Sequence, residues 1–188
     1  MEEELMTDMR IVKTKRKARK AMITLLKEKK YDDISVKDIC ETAGISRGTF
    51  YLHYKDKYDL VQQYQAEFVK EGTKKALNLL NEERYSFFYQ MVKLWNEEAE
   101  LLLLLISDNG SVEVQNQLKA MLQANAEKHV FPHMNFKKYS KTEQRYFTVF
   151  FSNAVFGMIQ EWVNTGRQET LEELSAILNK LAPTDLLE

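Results

Sequence analysis

The stretch Ser35-Val36-Lys37-Asp38-Ile39-Cys40-Glu41-Thr42-Ala43-Gly44-Ile45-Ser46-Arg47-Gly48-Thr49-Phe50-Tyr51-Leu52-His53-Tyr54 decides the fold. Ser35 stands three residues before Asp38, the spacing at which a hydroxyl and a carboxylate cap a helix start reciprocally. Gly44 falls where a helix must adopt a left-handed residue to stop, and Ser46 can cap a second start. The spacing predicts a short helix over Val36–Thr42, a glycine turn, and a second short helix over Arg47–His53, which together make a helix-turn-helix. Val36, Ile39, Cys40, Ala43, Ile45 and Phe50 can interlock the two helices, with Ala43 small where they approach. Arg47, Thr49, Tyr51, Leu52 and His53 are left as the outward set.

That set suits the major groove of DNA. Arg47 can fork onto a guanine edge or a phosphate, and Thr49 offers both a hydroxyl and a methyl. Gly48 has no side chain, so the backbone there can approach a ligand closely. A helix this short enters the groove by only a turn or two. Much of the affinity must then come from phosphate contacts, for which Ser35, Lys37, Tyr51, His53, Tyr54 and Lys57 are the candidates, helped by backbone N–H groups at helix starts; Ser46 is a DNA-binding candidate beside them.

Working outward, the charge agrees. From Arg10 to Lys57 there are 14 basic and 6 acidic residues, or +8; with an overall charge of −1, the remainder carries −9. A basic amino-terminal part on an acidic body is the layout of a nucleic-acid-binding head with a separate regulatory body. The lysines of the first helix read as a solvated face with general phosphate attraction.

The segment Val36 to Leu60, and above all the aromatic-rich run from Gly48 to Lys57, resembles the DNA-binding head of TetR-family regulators; the likeness covers about residues 10–70. Position 54 is often Phe in that family and is Tyr here. The resemblance implies a homodimer binding a double-stranded DNA operator, a small-molecule effector site in the body, and repression relieved by that effector. It places Arg47, Thr49, Tyr51, His53, Tyr54 and Lys57 as DNA-facing positions. The alternative is an interaction protein, a co-activator of the same fold with reduced DNA binding; a non-specific DNA binder is a further one.

The rest of the chain reads as helices. The expected spans are Thr7 or Arg10 to Lys29, Lys57–Leu80, Glu83–Glu98 with possible continuation through Leu105, Val112–Phe131, Lys141–Thr165 and Leu171–Leu181. Ser107-Asp108-Asn109-Gly110 is a break, and Ser140/Glu143 and Thr170/Glu173 are capping boxes. The fold class expected is all-α, with a three-helix head over residues 1–56 and a helical ligand-binding and dimerisation body over residues 57–188. Phe88, Met91, Trp95, Met121 and Phe151 are candidates to line an apolar effector cavity. One short recognition helix covers too few base pairs, so a two-fold pair is expected. Phe147, Phe150, Ala154, Met158, Leu174 and Leu178, on the last two long helices, are its candidate contacts.

Other chemistry finds little support. Cys40 is the single cysteine, so no intrachain disulfide can form, and its place in the pattern is that of a packed thiol. His129 and His133 stand four apart, but Pro132 lies between them, and no metal or other cofactor is expected. There is no phosphate-binding glycine loop and no nucleophile–base constellation, so an enzyme is not expected. The acidic start and the shortness of the longest apolar run, Leu101–Ile106, lead to the expectation of a cytoplasmic protein with no membrane partner.

Overall fold

The computed structural model describes residues 2–79, 84–130 and 139–181, and among these the regular elements are all helical. They are α1 (Glu2–Leu26), a 3-10 turn (Tyr31–Asp33), α2 (Val36–Ala43), α3 (Arg47–Tyr51), α4 (Lys57–Leu79), α5 (Arg84–Glu98), α6 (Glu100–Ile106), α7 (Val112–Asn125) ending in a π-helical turn (Ala126–Val130), α8 (Lys141–Asn164) and α9 (Leu171–Leu181). None of the described helices is long and apolar enough to cross a membrane.

Helical periodicity places the core. In α1 the buried positions are Ala18, Ala21, Met22, Leu25 and Leu26, one stripe at spacings of three and four. In α4 they are Leu60, Val61, Gln65, Phe68 and Val69. The short α6 departs from this amphipathic pattern. Leu101, Leu102, Leu103, Leu105 and Ile106 are all fully buried, so the helix is apolar nearly all round and belongs inside the structure. It lies against α1, α5, α7 and α8.

Hydrogen bonds fix the loop after α6. Asn109 Nδ2 donates to Leu26 O at 3.0 Å, and Tyr31 N donates to Asn109 O at 2.8 Å. Asp108 N donates to Asn164 Oδ1 at 3.1 Å, and Asn164 Nδ2 returns a bond to Asp108 Oδ1 at 3.2 Å. One loop therefore ties the end of α1 to the end of α8. Gly110 is obligatory here, because a Cβ would stand 1.6 Å from Leu105 O, inside backbone that cannot move aside.

Some boundaries differ from expectation. α1 begins earlier and stops at Leu26, where Lys29 N already turns back to Leu25 O at 3.0 Å. The apolar run after Glu98 is a separate helix, because Ala99 leaves helical geometry (φ −111°, ψ 24°) while still bonding Trp95 O through its N–H. The capping boxes at Ser35, Ser140 and Thr170 form as expected, each hydroxyl accepting from the backbone N–H three residues on. His133, Pro132 and the side chain of His129 lie outside the described residues.

Truncating one of the enclosed leucines should be costly. We expect Leu102→Ala to lower the unfolding free energy by about 2–5 kcal/mol, as for a large-to-small change in a packed core, measured by urea denaturation. A loss under about 1 kcal/mol would show that α6 is not tightly enclosed.

Candidate nucleic-acid interface and body cavity

The head is built on two caps. Ser35 Oγ accepts from Asp38 N at 3.2 Å and donates to Asp38 Oδ2 at 2.8 Å, while Ser35 N donates to the same carboxylate at 2.8 Å. Lys29 adds an ion pair to Asp38 at 3.0 Å. These bonds, the Ser35 backbone N–H foremost, hold the Asp38 carboxyl well below the usual carboxylate range. Gly44 ends α2 in the left-handed region at φ 60°, where a side chain would be strained. Ser46 then caps α3, accepting from Thr49 N at 3.0 Å and bonding Thr49 Oγ1 at 2.8 Å.

This arrangement presents an outward surface. Arg47, Gly48, Tyr51 and Leu52 are exposed, Leu52 to 81%. Arg47 has no ion-pair partner among the described residues, so its guanidinium is available. A Cβ on Gly48 would meet only Ser46 Oγ, at an ordinary 3.7 Å. Nothing among the described residues requires a glycine there. Thr49 and His53 are half-buried, with the ring of His53 edge-on to Tyr54. Lys37 is exposed and approaches Glu41 one turn on, at 3.8 Å. Ser35 and Ser46 remain exposed, though both hydroxyls already serve as caps.

Of two further residues expected on that surface, Tyr54 is buried and Lys57, half-buried, is engaged by backbone carbonyls of the protomer. Tyr54 is 2% exposed, its ring tilted against Phe50 with centroids 5.3 Å apart. It is a core side chain, because α3 ends at Tyr51 and the chain then turns inward to reach α4. Lys57 donates to Tyr31 O at 2.8 Å and to Asp32 O at 3.0 Å, and its ammonium lies 4.7 Å from the centre of the Tyr31 ring. It pins the 3-10 turn to the start of α4. Burial pushes its pKa down, with Asp32 and Asp33 opposing. The fixed turn lets Tyr31, itself fully buried, fill the space against Tyr58.

The body holds a cavity of about 510 Å³. Phe68, Phe87, Trp95, Phe151 and Phe156 give it aromatic walls, with Met91, Leu94 and Leu122 between them. Phe68 and Trp95 meet edge to face at 5.1 Å. Met91, Trp95 and Phe151 thus line it as candidates. Phe88 and Met121 are not among its lining residues. Phe88 is fully buried, edge-on to Phe87, and so packs in the core behind that wall. The polar lining was not anticipated: Thr73 bonds Asn125 at 2.7 Å across α4 and α7, Lys75 pairs with Glu98, and Gln90, Lys93 and Glu97 share one side of α5. Its signal in the sequence was faint, since polar residues at helical spacing on α5 look like a solvated face.

On α8, Tyr146, Val149, Phe150, Asn153, Ala154 and Gly157 form an exposed stripe, with Phe150 at 66%. Phe147 and Met158 are half-buried beside it, Phe147 stacked on Phe151 at 5.4 Å. Leu174 and Leu178 of α9 are 4% and 3% exposed. They face inward, since α9 lies along α5, so α9 offers only Ile177 and Leu181 as large exposed apolar side chains.

Comparison with known proteins agrees with this architecture. Residues 20–64 match the family described as bacterial regulatory proteins, tetR family, and residues 82–184 match the transcriptional regulator C-terminal region. Over 59 residues the chain is 41% identical to the uncharacterized HTH-type transcriptional regulator YxbF of Bacillus subtilis (strain 168), a stretch covering 31% of this chain but only 15% of that relative's length. Among solved structures, a TetR transcriptional regulator from Streptococcus agalactiae 2603V superposes with a TM-score of 0.67 at 19% identity, over 95% of this chain and 98% of that one. The fatty acid degradation regulator FadR from Bacillus halodurans gives 0.61 at 17% identity, over 89% and 93%. These two likenesses show the fold.

The Asp38 cap yields a test by pH. A carboxyl whose folded pKa is depressed stabilises the fold above its unfolded value, about 3.9, and that contribution fades as pH falls through the folded value. Asp38→Ala should therefore melt below the wild type at neutral pH, and the two melting curves, followed by circular dichroism, should converge as pH falls below about 4. A gap that stays constant with pH would show that the ionised cap is not what stabilises α2.

Proposed function

The chain belongs to the tetR family of bacterial regulatory proteins, and from that premise we propose that it is a homodimeric repressor that binds a double-stranded DNA operator through α3 and releases it on taking up a small molecule in the body cavity. The observation that carries the reading is the pair Arg47 and Gly48 at the start of α3. A glycine inside a helix costs roughly 0.5–1 kcal/mol relative to alanine, and the protomer has no steric use for this one. Close approach of an external backbone does. The neighbouring guanidinium is exposed and suited to a guanine edge or a phosphate. Tyr51 and Lys37 are exposed in the same helix-turn-helix, and α1, which packs on α2 and α3, carries the exposed bases Arg10, Lys13, Arg16, Lys17 and Lys20.

On this reading residues 1–56 are the DNA-binding part, and residues 57–188 carry the cavity and the dimer contact. The contact is the α8 stripe from Tyr146 to Gly157, joined by Ile177 and Leu181 of α9. Gly157 repeats the logic of Gly48: it lies within α8, and a Cβ there would meet nothing within 4 Å. A small residue at the crossing of two α8 helices accounts for it, and a two-fold axis lets identical stripes meet.

Gly48→Ala should leave the melting temperature unchanged or raise it, yet weaken operator binding in a mobility shift. Arg47→Ala should cost roughly 1–3 kcal/mol of binding if the residue reads a base. Operator sites would come from selection on a random DNA pool. Full affinity in both variants would overturn the α3 assignment and favour a protein partner. For the dimer, Ala154→Arg places a charge on a surface already exposed in the protomer, so the fold should persist. Sedimentation should show monomers, and operator binding should be lost with them. A variant that remains dimeric would exclude this stripe.

A further inference from the structure

We infer that the body cavity takes an amphipathic monocarboxylate, with its apolar part among the aromatic walls and its carboxylate on Lys93. This rests on reading the cavity as the effector site and specifies what enters it. The volume of about 510 Å³ lies in the range of sites for compact organic ligands. Walls of Phe68, Phe87, Trp95, Phe151 and Phe156 supply apolar contact without fixing polarity.

Polarity comes from the four charged groups at the lining. Lys75 and Glu98 neutralise each other in an ion pair between α4 and α5. Glu97 is exposed. Lys93 is half-buried, lines the cavity, and has no ion-pair partner among the described residues. Glu97, one turn away, does not come within pairing distance of it. A half-buried lysine beside an apolar wall, with no anion assigned to its ammonium, is matched by a ligand that brings one. The same neighbourhood restricts the ligand's charge. Glu97 borders the cavity with no ion-pair partner among the described residues and would repel a second negative group, so a monoanion is favoured over a phosphate ester or a dicarboxylate. Gln90 precedes Lys93 by three residues on the same side of α5 and can donate to the second carboxylate oxygen.

The test is calorimetric titration of the full chain with octanoate and naphthoate, which distinguish an acyl chain from a ring, each beside its matched neutral alcohol. The wild type should bind at least one acid about ten-fold more tightly than its alcohol, the ratio expected of one charge-assisted contact. Lys93→Gln should abolish that preference while keeping the alcohol's affinity, and Lys93→Arg should retain it. Equal binding of acid and alcohol by the wild type, or a preference that survives Lys93→Gln, would overturn the carboxylate assignment and leave the cavity as an effector site. Absence of binding by all four compounds at millimolar concentration would overturn the amphipathic monocarboxylate as the cavity's ligand class.

Discussion

Enclosure of α6 is the constraint on which the other elements depend. A helix that is apolar nearly all round cannot rest on a surface; its apolar faces must be covered by other elements. α1 covers it from the amino-terminal part of the chain, and α5, α7 and α8 from the remainder. Burying each leucine is worth roughly 1.5–3 kcal/mol relative to leaving it in water, so separating α1 from α6 would expose a strip of surface the chain has no other means to cover. The core is accordingly continuous from Ala18 to Leu178. The clasp of Asp108 and Asn109 over the ends of α1 and α8 adds direction to that contact, since hydrogen bonds fix an orientation that apolar burial leaves free.

With the scaffold held in this way, the outward residues are those that the interior has no use for. Tyr54 and Lys57 carry groups suited to phosphate, yet the core beside Phe50 claims the first and the carbonyls of the 3-10 turn the second. Arg47, Gly48, Tyr51 and Leu52 are left outside because α3 is too short to bury more than Phe50 among its own residues. The two glycines at 48 and 157 stand out on the same ground. Each weakens its own helix and relieves no crowding within the protomer, and each lies on an exposed face.

Much of this was legible in the sequence, because caps and turns act over three or four residues and need no tertiary context. Ser35 with Asp38, Ser46, Gly44 and the Ser140 and Thr170 boxes all do locally what their spacing implies. The residues misplaced by sequence reasoning depend on contacts distant in the chain. Tyr31 and Asp32, 26 and 25 residues before Lys57, draw its ammonium inward. Leu174 and Leu178 belong to an apolar stripe that sequence alone cannot assign to a neighbouring helix or to a second chain, and α5 takes them. Phe88 and Met121 are apolar at helical spacing like Met91 and Trp95, and only the packing of the helices decides which of them face the cavity.

The single non-helical residue between α5 and α6 has a thermodynamic consequence. Ala99 interrupts the helix but keeps its bonds to Trp95 and Leu103, so the wall of the cavity and the support of α1 are nearly one rod. On the proposed reading, a small molecule against Leu94 and Trp95 and DNA on the head packed through α1 both bear on that rod. Linkage then makes the influence symmetric. On the proposed reading, an effector that weakens the grip on DNA by some factor must itself be held more weakly by that factor while DNA is bound. The occupied operator would raise the concentration of small molecule needed to open it, and the threshold of the response would belong to the protein–DNA complex rather than to the free protein.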